Sequence, residues 1–428
     1  MRKLNVYLKY IPTEPVMVGT LIETNDKKIL FEYDSKYIES GYNISPFKLN
    51  FSGGLQGNRD NYPRESFGVF NDSLPDGWGV LLMDRFFRKN NRNLRDISII
   101  DRLAHIGNRG MGALAYEPAE NISHSGSDLL DLHELSQNSM DILQGKPCDI
   151  LPAMAGAGGS PGGARPKILA GFDGETLISG ECELPNDFDH WIIKFRSEND
   201  FKDAGKIEYA YAKMAKDAGL NISDFRLFED SHGHSYFGTK RFDRINGKNK
   251  RIHAHTLSNL IHADFKVPSL DYEILLKVCS RLTKSYSDVK MCFRLMVFNI
   301  LAHNRDDHGK NFSFLMDNKG NWSFAPVYDL IFSYGPGGEH SCTIAGEGRK
   351  PAMKDIMKLA ELSEISSKDV DNIINDIQGS LNNWESLATS LNISKTDIAQ
   401  VSYGMTVNID QPTLLYQKTI ANINPCFL

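Results

Sequence analysis

The sequence predicts an α+β protein in two lobes: a mixed α/β amino-terminal lobe preceded by an extra subdomain, and a mainly helical carboxy-terminal lobe. Three observations predict it. A chain of 428 residues is too long for one compact core, so two or three domains are expected. Short strand patterns alternate with helical spacing through the first part, whereas long apolar helical runs dominate from residue 256 onward. A polar loop, Asn304-Arg305-Asp306-Asp307-His308-Gly309-Lys310-Asn311, joins the most apolar of those runs to a short hairpin. The expected division is 1–125, 126–250 and 251–428.

Leu4 to Leu8 alternates as a half-buried strand does, Val16 to Ile22 reads as a second strand, and Asn25-Asp26-Lys27-Lys28 offers a turn. Ser73 to Gly79 is a breaker cluster that opens a helix from Val80 to Phe87, and Gly107 to Gly112 is a glycine-rich bend. The polar run Asn121 to Asp128 suggests a boundary, followed by a helix from Leu129 to Gln144. The densest small-residue stretch, Ala153 to Ala164, leads into a strand at Lys167 to Phe172, with further strands at His190 to Phe195 and Tyr236 to Phe242. Between them, Lys206 to Ala218 places Ile207, Tyr211, Met214, Ala215 and Ala218 on one helical stripe. Leu270 to Thr283 and Ser287 to His303 read as helices, Phe312 to Met316 and Trp322 to Ala325 as a hairpin, and 353–400 as mainly helical.

Apolar residues make up 41% of the chain and charged residues 24%, which is ordinary for a globular protein. A net charge of −6 argues against a self-sufficient nucleic-acid binder. The basic cluster Lys240, Arg241, Arg244, Lys248, Lys250 and Arg251 reads as a solvated hairpin around Asn246-Gly247. Six scattered cysteines without a CxxC pair suit reduced thiols in the cytoplasm, not a disulfide framework or zinc site. Met1-Arg2-Lys3 is not followed by an apolar signal region, and no run approaches the roughly 20 apolar residues of a membrane span.

Four pieces carry candidate chemistry. In the loop, Asp306 and Asn311 stand five residues apart; a carboxylate accepts a proton, and an amide oxygen suits a hard cation. Asp307 competes as base, and the spacing to Asn311 favours Asp306. His308 has no second histidine at ligand spacing, which favours a structural or nucleotide-contacting role. Past the hairpin, Val327-Tyr328-Asp329-Leu330 supplies a second acid; its other reading is a turn residue. Lys194 within Ile192-Ile193-Lys194-Phe195 is costly to bury alone, and Glu208 is its plausible partner; an edge lysine reaching solvent is the alternative. Gly158 to Lys167 is a glycine-rich loop whose backbone can approach phosphates, although flexible linkers share its composition. The order of these pieces resembles that of protein kinases, in which a catalytic-loop Asp, an Asn five residues later, a second Asp and a strand Lys share the work. The expected fold is therefore two-lobed and protein-kinase-like.

Taken together, these segments resemble the HipA-type serine/threonine kinase toxins of bacterial toxin–antitoxin modules over nearly the whole chain. The resemblance implies that Asp306 is the base and that Asn311 and Asp329 hold Mg²⁺. It implies an ATP site formed by Gly162, Gly163, Ala164, Arg165, Pro166, Lys167 and Lys194, the hinge residues Lys240, Arg241 and Phe242, and His308, Lys310, Asn311, Tyr328 and Asp329. Ser160 matches the family's autophosphorylation position; a turn hydroxyl before Pro161 is its other reading. Lys240 stands where some relatives carry an acid, so a backbone contact to adenine survives and a side-chain contact does not. The family further implies a small helix-turn-helix antitoxin that alone carries the DNA contact, and a protein substrate among translation factors such as aminoacyl-tRNA synthetases. A small-molecule or lipid kinase on a similar scaffold, or a non-catalytic co-repressor, are the competing readings.

Overall fold

The computed structural model describes residues 1–63, 66–120, 129–155, 163–180, 183–245 and 249–406. The expected boundary at 121–128, Ser160, Gly162, Asn246-Gly247 and Lys248 lie outside those residues.

The first sheet has five antiparallel strands in the order Gln56–Gly57, Ile29–Tyr33, Val16–Glu23, Arg2–Leu8 and Leu114–Glu117. Its alternation follows the sequence: Leu4, Val6 and Leu8 are buried while Asn5 and Tyr7 stay partly exposed. Ile100 and Leu103 of the Ile99–Ile106 helix close that core. A capping box starts this helix: Ser98 accepts from the Asp101 N–H, and Asp101 accepts from the Ser98 N–H.

A second five-stranded antiparallel sheet runs Leu177–Ser179, Lys167–Phe172, Asp189–Lys194, Ser235–Lys240, Phe225–Glu229. The Leu132–Leu143 helix covers one face through Leu132, Leu135 and Ile142. The Ala204–Asp217 helix contacts the Ser235–Lys240 and Phe225–Glu229 strands, yet its stripe Ile207, Tyr211, Met214 and Ala215 lies in the core of the helical lobe. One helix thus serves both lobes, which fixes where its remaining side chains point.

In the helical lobe, Tyr286–Leu301 is the central helix. Ten of its 16 residues are buried, so it is enclosed and not amphipathic. Tyr272–Thr283 packs beside it, and Met353–Leu362, Ser367–Leu381, Trp384–Ser390 and Lys395–Thr406 form the expected helical tail. The expected hairpin is present as Ser313–Met316 and Trp322–Phe324, joined by His253–Thr256 into a three-stranded sheet.

The structure corrects the reading of the basic cluster as a solvated turn. Arg241, Arg244 and Arg251 are 3%, 8% and 7% exposed, around an Asp243 that is fully buried. Asp243 accepts from Arg241 Nε and Nη2 at 2.9 and 2.8 Å, from Arg244 Nη1 at 2.6 Å and from the Gly112 N–H at 2.7 Å. Gly110, Gly112 and Asn108 carbonyls take further guanidinium donors. The glycine-rich bend supplies those carbonyls from more than 100 residues away, which local patterning cannot register. Burial opposes ionisation of Asp243, but Arg241 and Arg244 outweigh it and hold the carboxyl below its ordinary range.

Asp243→Ala leaves two buried guanidinium groups without their anion. The expected cost is ~3–5 kcal/mol in urea unfolding at neutral pH; a loss under ~1 kcal/mol would show that the arginines are hydrated and not ion-paired.

Candidate active site

The central helix ends at Leu301, and His303 takes a left-handed φ of 55° that turns the chain into the 304–311 loop. The two neighbouring acids then separate. Asp307 is buried and accepts from Tyr272 Oη at 2.8 Å, His340 Nδ1 at 2.8 Å and the Ser341 and Cys342 N–H groups at 2.8 and 3.3 Å. It has no capacity left for a substrate and anchors the loop. Arg305 does not pair with Asp306; its Nη1 donates to the Gly338 carbonyl and its Nη2 to the Arg349 carbonyl at 3.0 Å.

Asp306 instead keeps a side chain 59% exposed, facing a cleft of about 530 Å³ lined by Phe265, Lys266, His308, Tyr334 and Pro336. Partial desolvation in the cleft, with the nearby Asp329 and Asp307 charges, raises its carboxyl above the ordinary value against the pull of His308 and Arg165. The five-residue spacing is closed physically: Asn311 Nδ2 donates to the Asp306 carbonyl at 2.7 Å, which leaves Asn311 Oδ1 as an oxygen donor suited to a cation. His308 Nε2 lies 3.9 Å from Asp306 Oδ1.

Beyond the hairpin, Tyr328 donates its hydroxyl to the Lys310 carbonyl at 2.6 Å, accepts from Ser313 Oγ at 2.6 Å and packs its ring 5.5 Å from Phe242. Asp329 has φ 55°, a left-handed conformation that costs a non-glycine residue of order 1 kcal/mol and marks positions held by their surroundings. Its carboxylate is ion-paired with Lys194, whose Nζ also meets Glu208 Oε1 at 2.5 Å. Burial works against all three charges. Lys194 is nevertheless held above its ordinary value by Asp329 and Glu208, and Asp329 below its own by Lys194 and Lys167.

Lys167 stands directly opposite Lys194 on the adjacent strand and is 3% exposed, and burial lowers its pKa. Like charges in register on one sheet face are unfavourable unless anions share the site. Asp329, Glu208 and Asp76 supply that negative charge, and the Asn311 and Asp329 oxygens have the chemistry of ligands for a hard divalent cation.

The glycine-rich loop is described only from Gly163. Asp76 accepts from the Gly163 N–H with one oxygen and from Lys310 Nζ at 2.8 Å with the other. Trp78 donates its backbone N–H to the Gly163 carbonyl at 3.2 Å and its indole N–H to the Lys167 carbonyl at 3.1 Å. Gly77 is required here: a Cβ would sit 2.7 Å from Ala164 Cα, and its φ is 43°. Burial disfavours the Asp76 charge, but Lys310 holds its pKa down. In the sequence Asp76 reads as turn chemistry, because nothing local links it to positions 163 and 310.

Some expected ATP contacts are not brought together. Arg241 directs its guanidinium to Asp243 and Gly110. Its N–H and that of Lys240 are already donated to the His190 and Asp224 carbonyls, and Lys240 Nζ pairs with Asp189 at 2.8 Å. Arg165 pairs with Asp200 at 2.8 Å, and Ala164 and Pro166 continue the backbone from Gly163 to Lys167.

A five-stranded sheet whose lysine pairs with a helix glutamate, set over a helical lobe bearing an Asp-to-Asn loop, defines a two-lobed, protein-kinase-like fold. The chain belongs to the HipA family: the HipA-like C-terminal domain model matches residues 159–384 and the HipA N-terminal domain model residues 5–117. The fold is similar to that of HipA from Shewanella oneidensis MR-1, solved with HipB and its operator DNA. The TM-score is 0.69 at 16% identity, covering 94% of this chain and 95% of that one. Two Sinorhizobium fredii proteins provisionally named kinases are similar in sequence. Y4mE is 26% identical over 55% of this chain and 57% of its own length, and Y4dM 24% over 33% and 37%. The chain thus spans about half the length of the curated relatives it matches. Among the described residues, no helix is long and apolar enough to cross a membrane.

Lys194→Met leaves Glu208 and Asp329 without their shared cation, at an expected cost of ~2–4 kcal/mol near pH 7. Asp329 has a depressed folded pKa, so its stabilisation is complete above the unfolded value near 4 and fades as pH falls. The gap between wild type and variant, read from denaturant midpoints, should therefore narrow as pH drops below about 4.

Proposed function

We propose that this chain is an ATP- and Mg²⁺-dependent protein serine/threonine kinase and the toxin of a toxin–antitoxin pair. One observation carries the reading: Lys194 is held between Glu208 and Asp329 opposite Lys167, beside a loop that leaves Asp306 open to the cleft. The same reading divides the chain near 125 and 250, as the sequence suggests.

Bound ATP·Mg²⁺ supplies the transferable phosphoryl group and the neutralisation of its charge. Lys167 and Lys194 hold phosphate oxygens, with Glu208 orienting Lys194. Asn311 Oδ1 and the Asp329 carboxylate hold the cation. Phe242 and Tyr328, packed on one another, would offer an aromatic surface to the adenine, beside the backbone of 240–242. Asp306 accepts the proton of the substrate hydroxyl, which approaches from the cleft beside Tyr334. His308 borders this acceptor and Lys310 holds the loop through Asp76. Ser160 is assigned as the autophosphorylated hydroxyl: a phosphate adds roughly −1.5 to −2 charge to the loop that must receive ATP, which disfavours binding.

The partner assigned is a small helix-turn-helix antitoxin, through which alone the complex reaches DNA. The net charge of −6 and the likeness to a HipA solved with HipB and operator DNA support this. The substrate assigned, from the family resemblance, is a translation factor of the aminoacyl-tRNA synthetase class in the cytoplasm.

Asp306→Asn should lower phosphotransfer by ~10²–10⁴-fold while nucleotide affinity and fold persist. Labelled ATP with purified chain and lysate reads this: label in a protein band supports the assignment, and label in small molecules or full activity of the variant overturns it. Because the Asp306 pKa is raised, the acid limb of kcat should lie above that of an unperturbed Asp. Asp76→Ala should raise KM for ATP roughly tenfold, the scale of one lost charge-assisted bond, with a far smaller effect on global unfolding.

A further inference from the structure

We propose that His133, Asp230 and His232 form a binding site for a borderline divalent transition metal of the zinc class, separate from the nucleotide cleft. The site would join the Leu132–Leu143 helix to the hairpin between Phe225–Glu229 and Ser235–Lys240.

The hairpin turn is Asp230-Ser231-His232-Gly233-His234. Gly233 at φ 81° makes the reversal, and the Asp230 N–H donates to the His234 carbonyl at 3.0 Å. Asp230 Oδ1 accepts the His232 and His234 backbone N–H groups, both at 2.9 Å, so the turn is satisfied by that one oxygen. Its Oδ2 faces outward from the turn, meeting His133 Nδ1 at 3.2 Å, His234 Nδ1 at 2.9 Å and Tyr236 Oη at 2.9 Å. The Asp230 side chain is 2% exposed. A second element brings His133: Asp131 caps the helix by accepting from the His133 and Glu134 N–H groups, which fixes His133 in the first turn. The His133 and His232 rings stack at 4.0 Å between centroids.

One ligand atom from each of His133, Asp230 and His232 lies within 4.8 Å of the others. Zinc bonds of about 2.0–2.2 Å require ligand atoms roughly 3.4 Å apart, a closure that small side-chain rotations supply. His232 is exposed and His133 only partly buried, so both rings can turn, exchanging the His133–Asp230 and His232–Ser231 hydrogen bonds for metal bonds. The donor set decides the metal class: imidazole nitrogens with one carboxylate suit zinc, nickel or copper, whereas Mg²⁺ and Ca²⁺ prefer all-oxygen sets. His234, bonded to the same carboxylate oxygen, serves as the outer partner that orients the ligand. None of these residues takes part in the proposed phosphotransfer. Leu132 and Leu135 already pack with Phe195 and Tyr236, so a bound ion would reinforce an existing contact.

The test uses the full chain stripped with chelator, then titrated with Zn²⁺ by calorimetry and by thermal unfolding. The expected result is one saturable ion per chain and a higher unfolding midpoint, unchanged by excess Mg²⁺. His133→Gln and His232→Ala, each with the metal-free circular dichroism and midpoint of wild type, should weaken Zn²⁺ binding by roughly tenfold or more. Absence of saturable Zn²⁺ binding, or wild-type affinity in both variants, would overturn the proposal.

Discussion

The arrangement of this protein depends on three charges brought together, with Lys194 and Glu208 largely removed from water and Asp329 half-buried beside them. Lys194 projects from the second sheet, Glu208 from the bridging helix and Asp329 from the segment after the hairpin. Each alone would be costly to bury; paired, they offset much of that cost and fix three elements in one geometry. Such a buried set adds little net stability, and its value lies in specifying that geometry. Lys167, in register with Lys194, brings the set to two lysines against two acids, so it is formally balanced.

The amino-terminal subdomain is tied to this centre by the same kind of contact. Asp76 spans the glycine-rich loop and Lys310, and Asp243 gathers arginines against the 107–112 bend. Asp72 accepts from Thr256 Oγ1 at 2.7 Å and Asn259 Nδ2 at 2.5 Å and meets His255 Nδ1 at 2.5 Å, while Ser45 Oγ meets His255 Nε2 at 3.0 Å. Ser45 and His255 are buried, so this serine–histidine–aspartate chain fastens the subdomain and has no access to a substrate. Every link crosses between distant segments, so the subdomain and the lobes hold one another in register.

Asp306 and Asp307 show how environment assigns roles to adjacent identical residues. Four donors consume Asp307, whereas Asp306 keeps open faces and a raised pKa. The spacing to Asn311 favours Asp306 as base, and the Asn311-to-Asp306 hydrogen bond gives that spacing a mechanical meaning.

The sequence by itself determined the periodic elements and the motif spacing. Alternation marks Arg2–Leu8, an all-round apolar run marks Tyr286–Leu301, and turn residues mark the hairpin, because these depend on neighbours a few residues away. It also indicated the Lys194–Glu208 pair, since an apolar strand lysine demands a nearby acid. The Phe225–Glu229 and Ile29–Tyr33 strands lie beside sheets that only tertiary pairing defines, and went unread. Only the tertiary structure decided that Arg241, Arg244 and Arg251 are interior, that Asp76 reaches 163 and 310, and that His133 meets Asp230. The physical reason is the same throughout. Local patterns report backbone propensity and solvent-facing sides, whereas the partner of a buried charge is set by chain segments far away in sequence.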